Sequence, residues 1–132
     1  MLASAFLAAV LALASGCAGS RPVAWAGGPT SAPPAFVQEG WASYYGTAHH
    51  GRRTASGVRF DEHDLTAAHR SLPFGTLVRV TNLDNGRQVT VTINDRGPFK
   101  KKRVIDVSSR AARELGFLRA GTARVRIEVD PG

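Results

Sequence analysis

The chain has 132 residues, room for one domain and for a usable core only if most of it folds. Seventeen Lys and Arg against ten Asp and Glu give a net charge of +7, all of it carried beyond residue 20. Such a surface suits an anionic polymer, whether cell-wall glycan, nucleic acid or a lipid surface, and a single cysteine excludes an internal disulfide.

The uncharged start, LASAFLAAVLALASGC, is a short apolar run followed by small residues, the pattern of an export signal without its usual positive front. It is too short for a comfortable membrane span. Ala14-Ser15-Gly16-Cys17 resembles a bacterial lipobox, where cleavage leaves the cysteine as a lipidated N-terminus; the usual Leu three places before it is Ala14 here. The alternative is a plain secretory signal with an incidental cysteine. Export disfavours nucleic acid as the partner. Residues 18–35 hold four of the seven prolines and show no hydrophobic period, so they cannot bury a core and read as a tether. The expected organisation is a lipoprotein signal over 1–16, a flexible tether over 17–37 and a folded domain over 38–130.

GWASYYG opens the domain as a short aromatic strand between Gly40 and Gly46. On it Trp41 and Tyr45 share one face, which leaves Tyr44 as the exposed ring, available for stacking on sugar. LTAAH, ending at His69, is another strand-like run. TLVRVTN and RQVTVTIND flank Asp84-Asn85-Gly86, residues that tolerate positive φ, and so predict a hairpin. SSRAARELG predicts a short helix with Ser108 or Ser109 as N-cap and Gly116 as stop. TARVRIEV alternates Val125, Ile127 and Val129 with charged residues, a last strand. Short strands with one small helix predict a compact, mainly β barrel.

In VTINDRGPFKKKRVID, strand alternation carries Val89, Val91 and Ile93 on to Asp95, which places a carboxylate at the rim of the core. Partial desolvation there suits a general acid; a turn residue bonding the backbone of the following Arg-Gly-Pro is the alternative. The cationic run Lys100 to Arg103 is either a solvated loop or a device that concentrates an anionic polymer near Asp95. His49 and His50 are adjacent and point apart, and His63 and His69 lack metal-ligand spacing, so no metal is expected. His69 reads either as a hydrogen-bonded rim residue or as part of a polar cluster.

ASYYG…HHGRRTASG, FDEHDLTAAHRSLPFGTLVRVTNLDNGR and VTINDRGPFKKKRVIDVSSRAARELGF closely resemble the rare lipoprotein A family over about residues 40–129. The resemblance implies a six-stranded double-psi β-barrel with one or two short helices. It also implies an endolytic lytic transglycosylase that cuts peptidoglycan between MurNAc and GlcNAc, preferring glycan stripped of stem peptides, and leaves a 1,6-anhydro end. Carried over by position, Asp95 is the acid and base and His69 lines the site; beside them Tyr44 or Arg96 is expected to help hold sugar. Members of the family often carry glutamate after the TASG motif, where this chain has Val58; a non-catalytic glycan-binding or envelope-organising lipoprotein on the same barrel is the alternative function. No cofactor is implied, the glycan strand and the membrane are the partners, and a monomer anchored through Cys17 in the cell envelope is expected.

Overall fold

A computed structural model of the chain describes residues 34–130. The signal over 1–16, the lipidation candidate Cys17 and most of the segment read as a tether lie outside the described residues. Six strands, β1 Phe36–Tyr44, β2 Thr66–Ala68, β3 Leu77–Asn82, β4 Gln88–Asp95, β5 Arg103–Val107 and β6 Thr122–Val129, are joined by one helix, α1 Ser109–Leu115, before the last strand. A 3-10 turn, Thr47–His49, follows β1. The strands close into a barrel in the order β1-β5-β2-β4-β3-β6, with β6 bonded back to β1. This is the mainly β barrel expected from the strand pattern and from the family resemblance.

Alternation fixes which side chains fill it. Val78 and Val80 of β3, Val89, Val91 and Ile93 of β4, Ile105 and Val107 of β5, and Val125 and Ile127 of β6 all point inward and are buried. Each such side chain contributes roughly 1.5–3 kcal/mol relative to exposure. A slip of one residue would turn a whole row to solvent, so the hydrophobic pattern sets the register.

β1 begins at Phe36, inside the segment read as tether, and pairs antiparallel with β6 from Phe36 to Ser43. Its inward positions carry small residues at Gly40 and Ala42, because β1 also runs parallel to β5 at close range. A Cβ on Gly40 would lie 2.5 Å from a methyl carbon of Val104 and 3.2 Å from the Lys102 carbonyl oxygen. That crowding reverses the faces assigned from sequence. The parity of Ala42 and Tyr44 faces inward, and Trp41 is the outward ring, 38% exposed beside Arg124.

The helix is capped as its sequence predicts. Ser108 Oγ accepts from the Ala111 N–H at 3.2 Å, and Gly116 stops the helix in the left-handed region at φ 81°. The hairpin turn finishes the C-terminal end, where the Asn82 and Asn85 side-chain amides both donate to the Leu115 carbonyl at 2.9 and 3.0 Å. Turn and helix thus satisfy groups that either would leave unpaired alone.

Gly40→Ala should destabilise the domain by about 1–3 kcal/mol, the usual cost of forcing atoms into a packed contact. Urea unfolding followed by circular dichroism measures it; a midpoint equal to wild type would show that the β1–β5 approach is looser than described.

Candidate active site

The alternation that carries Ile93 inward does not carry Asp95 inward in the same way. β2 and β4 pair in parallel with Thr66 opposite Thr92 and Ala67 opposite Ile93, but Ala68 lies opposite Asp95. The extra residue, Asn94, makes a bulge, a device that re-aims the next side chain at the end of a strand. The bulge is held from outside by the Ser56 N–H, which donates to the Asn94 carbonyl at 3.2 Å.

Three donors converge on the re-aimed carboxylate. The Ala55 N–H and the Arg96 N–H both donate to Oδ1, at 2.8 and 2.9 Å, and the Tyr45 hydroxyl donates to Oδ2 at 2.8 Å. Asp95 lines a pocket of about 240 Å³ together with Tyr45, His49, Arg52, Arg53, Thr54 and Phe60. It is the only carboxylate among those lining residues.

The segment from 51 to 60 folds as a small hairpin that builds one wall. Phe60 N–H donates to the Arg52 carbonyl at 2.7 Å, Gly51 N–H to the Phe60 carbonyl at 2.8 Å, and Thr54 Oγ1 to the Val58 carbonyl at 2.6 Å. The TASG motif is therefore a tight loop whose outer edge presents the Ala55 N–H to Asp95. Val58 leaves this loop 60% exposed. Arg52 and Arg53 are exposed at the pocket and form no ion pair among the described residues, so their charge is available to a ligand.

Tyr45, not Tyr44, is the tyrosine of the site. Tyr44 packs edge-on to Phe117 at 6.0 Å and its hydroxyl donates to the Leu118 carbonyl at 2.8 Å, which ties it to the barrel core and away from the pocket lining. The cause is the reversed face of β1. Tyr45 packs against Phe60 at 4.8 Å and His49 at 5.3 Å. Burial first, then the hydrogen bond and negative charge of Asp95, push its phenol well above the ordinary tyrosine value.

His69 does not line the pocket. It is buried just past the end of β2, edge-on to Phe36, where its Nδ1 accepts from the Ser71 and Leu72 N–H groups, both at 3.1 Å. That leaves Nε2 as the protonated nitrogen, 3.0 Å from Gln38 Oε1. Its main-chain N–H donates to the Asp95 carbonyl at 3.2 Å and so supports the strand end. Arg96 likewise turns away: its Nη1 donates to the His69 and Leu72 carbonyls at 3.2 and 2.7 Å, and its guanidinium lies 4.1 Å from the centre of the Phe74 ring. Both are engaged with the turn from 69 to 72, and neither is among the residues lining the pocket.

Arg70 performs a similar task on the next loop, donating to the carbonyls of Pro98, Lys100 and Arg103. Lys100, Lys101 and Lys102 are exposed, while Arg103 pairs with Asp106 at 2.6 Å. A larger open groove of about 420 Å³ lies elsewhere, by β3 and the end of β6, but its charged groups, Arg79 and Asp130, neutralise each other at 3.0 Å. Among the described residues no group of three or more His, Cys, Asp and Glu could hold a metal ion. None of their helices is long and apolar enough to cross a membrane.

Residues 37–127 match the family described as lytic transglycolase. The chain is 52% identical over 104 residues to the endolytic peptidoglycan transglycosylase RlpA of Pseudomonas aeruginosa, covering 78% of this chain and 30% of that protein. It is 54% identical over 98 residues to the RlpA of Neisseria meningitidis, covering 74% of this chain and 41% of that protein. The chain therefore spans well under half the length of these relatives. Among solved structures, the Streptomyces papain inhibitor superposes with a TM-score of 0.58 at 24% identity, over 74% of this chain and 97% of that one. A Clavibacter michiganensis expansin in complex with cellohexaose gives 0.57 at 19% identity, over 74% and 52%. These two show the fold, a double-psi barrel.

Burial, then the positive charges of Arg96 and Arg70, hold the His69 imidazole below its ordinary value. The unfolded chain then binds a proton before the folded one does. This part of the stability is fully present above about pH 6.5 and is lost as pH falls through the lowered folded value. Urea unfolding between about pH 7.5 and 5 should show wild type losing stability that His69→Gln does not lose; equal pH slopes would mean that His69 is not held neutral.

Proposed function

The chain belongs to the lytic transglycolase family, and on that premise we propose that it cleaves the glycan strand of peptidoglycan between MurNAc and GlcNAc and releases a 1,6-anhydro end. One observation carries the reading: a lone carboxylate, Asp95, sits in a basic pocket with one oxygen fixed by backbone and the other facing a phenol. Hydrolysis by paired carboxylates needs a second, ionised carboxylate as base or nucleophile. Intramolecular closure does not. Asp95 protonates the glycosidic oxygen as the bond to the anomeric carbon breaks. The sugar's own 6-hydroxyl then closes on that carbon and gives its proton back to Asp95. One carboxyl serves both steps and is regenerated.

The basic wall supports a narrower substrate. Arg52 and Arg53 face the same pocket as Asp95 without carboxylate partners among the described residues. A MurNAc whose stem peptide has been removed carries a free lactyl carboxylate, which a guanidinium pairs with well. A MurNAc still bearing its peptide has no such charge. The denuded strand is thus the proposed substrate. Lipid attachment at Cys17 would hold the domain at a membrane surface of the cell envelope. A tether of about twenty residues reaches roughly 60–70 Å at most, enough for nearby wall.

Val58 favours a second reading. Its exposed apolar side chain stands in the loop that bonds Asp95, where an acid would be available to sugar or to a neighbouring carboxyl. A barrel that binds glycan without cutting it is the function this residue would leave.

Incubation of the soluble domain with denuded glycan strands, followed by mass spectrometry, should reveal 1,6-anhydro ends with wild type and none with Asp95→Asn. Binding without product, under conditions where an active relative works, would select the binding reading. Val58→Glu should raise the rate of product formation several-fold if the barrel is a weakened enzyme, general acid–base groups being worth about 10²–10⁴-fold in all. Arg52→Gln and Arg53→Gln should each raise KM about 3–10-fold, and added salt should shrink the difference. Separately, Cys17→Ser should release the protein from membranes in cell fractionation; continued retention would sink the lipid anchor.

A further inference from the structure

Asp95 has two oxygens, and the fold treats them differently. Oδ1 accepts two backbone N–H groups, from Ala55 and Arg96, and so is fixed from two directions by main chain. Oδ2 has a single partner, the Tyr45 hydroxyl at 2.8 Å. A hydroxyl rotates and can donate or accept, whereas a backbone N–H only donates. Only Oδ2 can therefore gain or lose a proton without breaking a main-chain bond.

The phenol itself is placed with care. Tyr45 N–H donates to the Val107 carbonyl at 3.0 Å, and its carbonyl accepts from Ser109 Oγ at 2.9 Å. Its ring packs against both Phe60 and His49. Main chain and ring are both pinned, so the hydroxyl is delivered to Oδ2 by the end of β1 and by the start of α1 rather than by chance.

We propose that Tyr45 is the positioning partner of Asp95, selecting Oδ2 as the oxygen that exchanges the proton and holding the charge Asp95 carries between the two halves of the reaction. This rests on the reading of Asp95 as acid and base. In the first half the Oδ2–H bond breaks, the proton goes to the glycosidic oxygen, and the electron pair stays on Oδ2. The Tyr45 hydroxyl donates to that new anion. In the second half the 6-hydroxyl proton passes to Oδ2, and the phenol keeps its own proton throughout. Its strong resistance to ionisation suits that constancy.

Tyr45→Phe, assayed on denuded glycan strands beside wild type and Asp95→Asn, tests the assignment. The variant should lose kcat about 10–100-fold, the worth of one hydrogen bond to a charged group, with KM within about twofold of wild type. The descending limb of its pH–rate profile should move to higher pH, because the anion formed in the first half has lost a donor. A thermal midpoint measured in parallel separates these effects from unfolding. Wild-type kcat and an unmoved profile in a folded Tyr45→Phe would overturn the role of Tyr45 alone. Product from Asp95→Asn at the wild-type rate, or none from wild type, would overturn the catalytic reading and this assignment with it.

Discussion

The arrangement depends on one carboxylate gathering donors from three places in the chain. Asp95 is bonded by the end of β1 through Tyr45, by the loop after the 3-10 turn through Ala55, and by its own successor, Arg96. These segments meet only because the barrel closes and because β4 gains a residue at Asn94 just before its end. Hydrogen bonds to an ionised group are each worth about 1.5–3 kcal/mol, so this cluster orders the loop from 54 to 58 as much as the loop orders the carboxylate. The pocket is a consequence of that mutual fixing. Without the bulge, the carboxylate would follow the inward row of Ile93 and meet apolar neighbours.

The arginines divide into two kinds of work. Arg70 and Arg96 direct their guanidinium groups at backbone carbonyls and hold turns in place. Arg52 and Arg53 stand at the pocket with no carboxylate beside them among the described residues. A net charge of +7 does not distinguish these uses. Position does: a guanidinium whose fork is filled by carbonyls contributes shape, while one facing an open pocket contributes field. In the proposed reaction, the second kind attracts the glycan and the first kind keeps the acid still.

Much of the fold was legible in the sequence because it rests on local rules. The β3–β4 hairpin, the Ser108 cap, the Gly116 stop and the alternation of β6 each follow from a short stretch of residues. Asp95 was legible too, as an odd member of an apolar row. Its neighbours were not. Choosing Tyr45 over Tyr44 requires knowing which face of β1 is crowded, and that is set by Val104, more than sixty residues further on. His69 and Arg96 lie next to the acid along the chain or across a strand pair, yet their side chains serve a turn, and nothing in local spacing separates support from contact. The donor from Ala55 is a main-chain group, which no residue type advertises.

The loop from 98 to 103 is secured by Arg70 entirely through carbonyl oxygens, at Pro98, Lys100 and Arg103. Carbonyls are the same whatever side chain a residue bears. Phe99, 80% exposed, and the side chains of Lys100 and Lys101 take no part in that fastening, whereas Lys102 holds a left-handed backbone at φ 75°. Substitutions at the exposed side chains of this edge therefore change what the barrel displays more readily than how the loop is held.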